Sequence, residues 1–424
     1  MAGVMYRKIL ASCGTTMHAS FPSEPGEKHM LDLYSEELGA IRDTVIKFME
    51  REVVPVMDDF EARKELPREL VRKAGATGLF GSLFPESLGG TDTGHLAAVV
   101  VLEELARADV RFACCSNQQS GSCPNTIFQA GTPEQIARFV PSLIAGERIG
   151  MMSLTEAGGG SDALGNMLTT ARRDGDVYRL NGSKMWASLG NECDAGVLLA
   201  KTDASAGAKG VTAFIVEPKK YPGFTAQPID TMGLSKSFRT AALYLDDFVV
   251  PVENRLGEEG EGFRIIMRGL ESGRAVVGAL SLGIARACFE DAVKYANERM
   301  VRGSALGTYQ MIQSDIAEMA VAIEASTALL YKTAQHMDAG LPTNRLASIA
   351  KFHASQTARL CADKAQQIFG GYGLATEYRV SRYKCFADMM YTGEGTANVQ
   401  KVLIAEDALG YKNADRHHGK SARK

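Results

Sequence analysis

Apolar residues recur every three or four positions through residues 31–150, as in EELGAIRDTVIKFMEREVVPVM, and that period predicts amphipathic helices. HLAAVVVLEELARAD is apolar on two faces, which predicts a buried helix. GTPEQIARFVPSLIAGE predicts a short helix with Thr132 as N-cap, Pro133 at its first position and Gly146 near its end. Over residues 151–262 the period shortens. DVYRLNGSKMWAS, AGVLLAKTD, GVTAFIVEP and TAALYLDDFVVP are β-branched and aromatic runs separated by Gly, Asp, Asn and Pro. They predict a small antiparallel β-barrel or sandwich, and Asn181-Gly182 predicts a hairpin turn. From 263 to 424 helical periodicity returns in four long runs, which predict an up-down four-helix bundle. The order helical, β, helical describes an α+β multidomain chain and argues against the βαβ alternation of a Rossmann fold.

Composition narrows the setting. A chain of 424 residues is long for one core. A net charge of −3 argues against broad binding to nucleic acid or to anionic membranes. No apolar run is long enough to span a bilayer. The eight cysteines are scattered without a CxxC pair and the seven histidines lack metal spacing, so no metal site is expected. Such cysteines fit reduced thiols in a cytoplasmic protein. The first 30 residues are polar, turn-rich and aperiodic; they read as a disordered extension, with Met30 as a candidate start. Glu24 and Glu27 count against an organelle-targeting reading of that segment.

Four stretches carry candidate chemistry. MSLTEAGGGSDALG, residues 152–165, can bind phosphate through its backbone N–H groups with help from Ser161, or can be a surface turn. SKMWASLG holds Trp186, the only tryptophan, beside Ser188; the indole can wall a planar cofactor or sit in a core. QQIFGGYGLATEY, residues 366–378, ends a helix at two glycines, which is either a helix stop or a close approach to a ligand. In GEGT, Gly393 and Gly395 flank Glu394, and Thr396 is a good N-cap for a final helix. By itself Glu394 reads as a solvated loop acid.

Taken together and in this order, the stretches resemble the acyl-CoA dehydrogenase family of flavoproteins. TEAGGGSD resembles the family's first signature, with Ala157 where proline is usual, and QIFGGYGLATEYRVSR resembles its second. The interval from Arg382 to Glu394 also matches. The resemblance runs from about residue 31 to the end.

It implies FAD between the β domain and the C-terminal bundle. Thr155 would contact the flavin ring, Ser161 the pyrophosphate, Trp186 the flavin face and Ser188 the region of N5, where threonine is common. Arg299, Gln367, Gly370 and Gly371 would reach the FAD of a neighbouring subunit, while Thr396 and Asn398 would meet that of their own. Glu394 would be the base that takes the α proton of an acyl thioester as hydride passes to flavin N5. A base placed instead on the first bundle helix is ruled out by Gly273 at that position. Arg274 and Glu271 would line the mouth of the substrate site, beside Gly393 and Gly395. A homotetramer and an electron-transfer flavoprotein as electron acceptor are also implied.

Three departures qualify the match. Gly393 stands where tyrosine is frequent, which predicts room for a branched, cyclic or bulky acyl group. Arg302 replaces a phenylalanine at the intersubunit cofactor contact, and Phe386 replaces an aspartate. Three other readings stay open. The acyl group can be held by a carrier protein, the reaction can run as enoyl-thioester reduction, or the chain can be a non-catalytic flavoprotein with a binding role. The basic tail KNADRHHGKSARK bears on the last of these.

Overall fold

The computed structural model describes residues 35–410 apart from 162 and 164–166. The expected N-terminal extension and the basic tail lie outside the described residues.

Among the described residues seven α-helices come first: α1 Glu36–Phe48, α2 Met57–Arg63, α3 Arg68–Ala76, α4 Gly94–Ala108, α5 Val110–Asn117, α6 Cys123–Ala130 and α7 Pro133–Ile144. The buried-helix expectation holds for α4, where eleven successive residues from Leu96 to Ala106 are buried. Thr132 caps α7 as expected, and Gln135, not foreseen, closes a reciprocal capping box with it. One feature went unread in the sequence. Between α5 and α6, Gln118–Ser122 winds as a fully buried π turn. Its Gln119 side chain accepts from Gly150 N at 2.7 Å and donates to Arg148 O at 2.6 Å, so it ties the helices to the first strand.

The β region holds β1 Gly150–Ser153, β2 Thr170–Asp174, β3 Val177–Ser188, β4 Ala195–Lys201, β5 Val211–Val216, β6 Phe224–Pro228, β7 Thr240–Pro251 and β8 Arg255–Leu256. Their order is β6-β7-β3-β2-β4-β5-β8, with β1 added on β4. The expected antiparallel pairing dominates, but β1 runs parallel to β4. The hairpin expected at Asn181-Gly182 is corrected. The chain turns at Gly175, with φ +61°, and Asn181-Gly182 lies inside β3. There the register with β7 slips, and Asn181 Nδ2 donates to Asp247 Oδ1 at 2.8 Å across the bulge. Gly182 has φ +143°, and a Cβ on it would come 2.7 Å from Thr169 Cα.

The C-terminal region contains α8 Gly262–Glu298, α9 Gln310–Asp338, α10 Asn344–Phe369, α11 Val380–Thr392 and α12 Ala397–Leu409. Among the described residues it is thus a bundle of five helices. The four expected runs omitted α11, which begins within the second signature and buries Val380, Tyr383, Ala387 and Met390 along one face. Phe386 is fully buried in α11, so the departure from aspartate serves packing there.

The 37-residue α8 is the spine. It packs on α4, α9, α10 and α11. Two glycines let neighbours approach: a Cβ at Gly283 would lie 2.3 Å from Glu103 O, and one at Gly278 2.3 Å from Leu330 Cδ2.

Gly283→Ala weighs two opposed effects. Alanine gains about 1 kcal/mol of helix propensity over glycine, whereas overpacking against main chain costs about 1–3 kcal/mol. The rigid carbonyl cannot yield as a side chain would, so the variant should be destabilised and unfold at lower urea concentration than the parent.

Candidate active site

Glu394 stands in a short turn between two helices. Gly393 N closes α11 on Met389 O at 2.7 Å, and the Thr396 hydroxyl caps α12 by accepting from Val399 N at 3.2 Å. Between them the chain reverses with φ +49° at Glu394 and +89° at Gly395. A side chain in the left-handed region costs about 1–3 kcal/mol and persists only where its surroundings enforce it. Two donors do so here: Lys351 Nζ and Gln400 Nε2 reach the Gly395 carbonyl at 2.9 and 3.3 Å.

The turn aims the carboxyl inward at α8. Glu394 Oε2 lies 2.6 Å from where a Cβ on Gly273 would stand. By surface area Glu394 is half-buried, but the protein packed round its carboxyl raises its pKa to about 7. Desolvation is the main cause; the Lys351 charge and a hydrogen bond with the Asn117 side chain pull the other way. The solvated-acid reading of Glu394 therefore does not hold.

Arg274 and Glu271 sit on the same helix as Gly273. Arg274 is buried and donates to Asn344 Oδ1 at 2.6 Å; burial lowers its pKa against the pull of Glu271. Glu271 accepts from the Thr343 hydroxyl at 2.7 Å. Both are therefore engaged at the junction of α8 and α10.

A second group lies on the β region. Met185 N donates to Thr155 O at 2.9 Å, which joins the first signature to β3. The β3–β7 register breaks between Lys184 and Ala187, and Trp186 at this break has φ +62° and is 56% exposed. Ser188 is half-buried two residues on, and Ser161 is exposed. Glu156 pins the loop: it accepts from Leu168 N, Thr169 N and the buried Lys184 at 2.6, 3.0 and 2.8 Å. Burial alone would raise its pKa, but these donors leave it lowered.

The third group is remote. Arg299 ends α8 with its guanidinium over the Tyr372 ring, beside exposed Gln367, Gly370 and Gly371. At 1.5 Å per residue, Arg299 is about 39 Å along α8 from Gly273. One chain does not bring this group to Glu394. Asn398 is exposed on the first turn of α12.

These surfaces fit a flat dinucleotide. An exposed indole is held out of its ladder, and Gly158, Gly370 and Gly371 have nothing within 4 Å of where a Cβ would stand.

Residues 35–147, 151–248 and 260–409 match, respectively, the N-terminal, middle and C-terminal domains of acyl-CoA dehydrogenase. The chain belongs to the acyl-CoA dehydrogenase family. It is 38% identical to glutaryl-CoA dehydrogenase of Desulfococcus multivorans, over 90% of this chain and 99% of that one. It is 37% identical to a subunit of the caffeyl-CoA reductase–Etf complex of Acetobacterium woodii, over 88% and 98%. A glutaryl-CoA dehydrogenase from Mycobacterium smegmatis, solved in complex with FADH2, superposes with a TM-score of 0.84 at 28% identity, over 90% and 96% of the two chains. This acyl-CoA dehydrogenase is accordingly an FAD-dependent oxidoreductase acting on a CH–CH pair.

Sequence reasoning passed over Lys351, Asn117 and Gln400, all buried beside the Glu394 turn. Lys351 had a signal. It interrupts an apolar stripe of Ala347, Ala354 and Ala358, each fully buried.

An infrared pH titration of carboxyl absorption, with Glu394→Gln as the blank, should reveal a group titrating near 7. A difference confined to the ordinary carboxylate range, near 4, would contradict the burial described here.

Proposed function

We propose that this acyl-CoA dehydrogenase desaturates an acyl-CoA between its α and β carbons, with Glu394 as the base. The observation that carries the reading is the Glu394 carboxyl seated on Gly273 with its pKa raised to about 7. A carboxylate with ordinary pKa is a weak base for a carbon acid; a desolvated one whose pKa approaches the working pH is far better matched. Glu394 takes the α proton. Bound FAD supplies the acceptor for the hydride that leaves the β carbon. Thr155, Trp186 and Ser188 would hold the flavin and Ser161 the pyrophosphate, with Thr396 and Asn398 from the same chain.

The separation of about 39 Å between Gly273 and Arg299 along α8 supports giving Arg299, Gln367, Gly370 and Gly371 to a neighbouring subunit's FAD, within a homotetramer. Arg274 and Glu271 would border the substrate. At Gly393 a Cβ would meet only Met389 O, at 3.2 Å, so no side chain fills the space that a tyrosine there would occupy. That supports a branched, cyclic or bulky acyl group. The relative from Acetobacterium, part of an Etf complex, supports an electron-transfer flavoprotein as acceptor. A cytoplasmic setting fits the reduced cysteines; among the described residues no helix is long and apolar enough to cross a membrane.

Anaerobic titration with straight, branched and cyclic acyl-CoAs should bleach the flavin band, fastest with a bulky acyl group, and Glu394→Gln should abolish it. Gly273→Ala forces the carboxyl aside and should slow bleaching about 100-fold with FAD retained, since displacement of about 1 Å costs that much. Equal bleaching by the parent and Glu394→Gln would overturn the assignment.

A further inference from the structure

We propose that Lys351 is a positioning residue for Glu394: its buried ammonium clamps the Gly393–Glu394–Gly395 turn and sets a compensating charge beside the carboxyl. The proposal rests on the reading of Glu394 as the base.

The cations of α10 make Lys351 stand apart. Arg345 pairs with Asp407 at 3.3 Å, Arg359 with Asp388 at 2.8 Å, and Lys364 with Asp315 at 2.6 Å. Among the described residues Lys351 has no such carboxylate partner, although it is fully buried. Its ammonium donates instead to the Gly395 carbonyl at 2.9 Å. Taking an ammonium out of water for one neutral acceptor is unfavourable unless a second charge compensates. The carboxyl one residue away, Glu394, is the nearby anion that acts on it. Burial pushes the Lys351 pKa down to about 8; Glu394 holds it up and Arg274 lowers it further.

Lys184 shows what a purely structural buried lysine looks like here. It is equally buried, and it meets Glu156 directly at 2.8 Å. A direct pair of that kind at Glu394 would hold the carboxyl low and occupy its lone pairs. Lys351 is held off by the Gly395 carbonyl, so it steadies the carboxylate without capping it. The turn needs the same bond, because Glu394 and Gly395 both have positive φ.

Other groups face this carboxyl and ammonium. Asn117 and Cys114 approach from α5, Arg274 and Glu271 from α8, and Gln400 from α12. Asn117 and Gln400 carry no charge, and the Cys114 thiol is pushed well up by burial, then by Cys115, Asp109 and Glu394. Lys351, not Arg274, is the charge that acts on the Glu394 carboxyl, so it is the cation whose removal that carboxyl should feel most directly.

The test is the infrared carboxyl titration of the holoenzyme, run on the parent, Lys351→Met, Lys351→Gln and Lys351→Arg, with Glu394→Gln as blank. Loss of the positive charge destabilises the carboxylate, so its midpoint should rise by about one pH unit in the Met and Gln variants. The Arg variant should stay near the parent. With an acyl-CoA that bleaches the flavin, the acid limb of the bleaching rate should move up equally, a loss of about tenfold on that limb. Lys351→Gln can still donate to the Gly395 carbonyl, so its high-pH plateau should exceed that of Lys351→Met. Midpoints of the Met and Gln variants that coincide with the parent, at unchanged flavin content, would overturn the proposal. A panel that fails to bleach the parent would sink the functional reading, while the midpoint shift would still decide the role of Lys351.

Discussion

A carboxyl group kept out of water is the constraint around which this site is arranged. Desolvation favours the neutral form, and a neutral acid cannot accept a proton. The fold answers with neighbours of graded strength: an amide at Asn117, a carbonyl-bound ammonium at Lys351 and, among the described residues, no direct counter-ion. The result is a group poised near neutrality. Elsewhere in the same chain, Glu156 shows the opposite outcome. Three donors bind it, its pKa falls, and it serves as a fastener.

The scaffold makes that poise possible through small residues on the spine. Gly273 leaves the space that the Glu394 carboxyl fills, and Gly278 and Gly283 let neighbouring elements close on α8. The glycines of the Glu394 turn do different work. Gly393 ends α11 with ordinary φ, while Gly395 has φ +89° and would strike Gln400 if it carried a Cβ. Helix packing thus fixes the floor of the site, and backbone conformation fixes the angle at which the acid enters it.

Much of the architecture was legible because periodicity reports on which side of an element faces the core. The helical, β and helical regions, the buried α4 and the Thr132 cap on α7 all follow from local pattern. The failures share a cause. Asn181-Gly182 carries turn chemistry, but pairing with β7 on one side and contact with Thr169 on the other turn it into a bulge. The helix α11 carries a stripe of Val380, Tyr383, Ala387 and Met390 only 13 residues long, and packing on α8 and α10 rather than local pattern secures it. In the site, Glu394 and its glycines were visible as a local oddity. Lys351 and Asn117 lie 43 and 277 positions away in sequence, and only tertiary packing reveals that they share one environment.

The second register break of β3, between Lys184 and Ala187, has an optical consequence. It lifts Trp186, the chain's one indole, out of the ladder and leaves it 56% exposed. Tryptophan emission from this protein therefore arises at a single address, on the surface where a stacked isoalloxazine would absorb its energy. The fluorescence of the whole molecule is in effect a local gauge of that face, dark when an acceptor lies against it and bright when the face is bare.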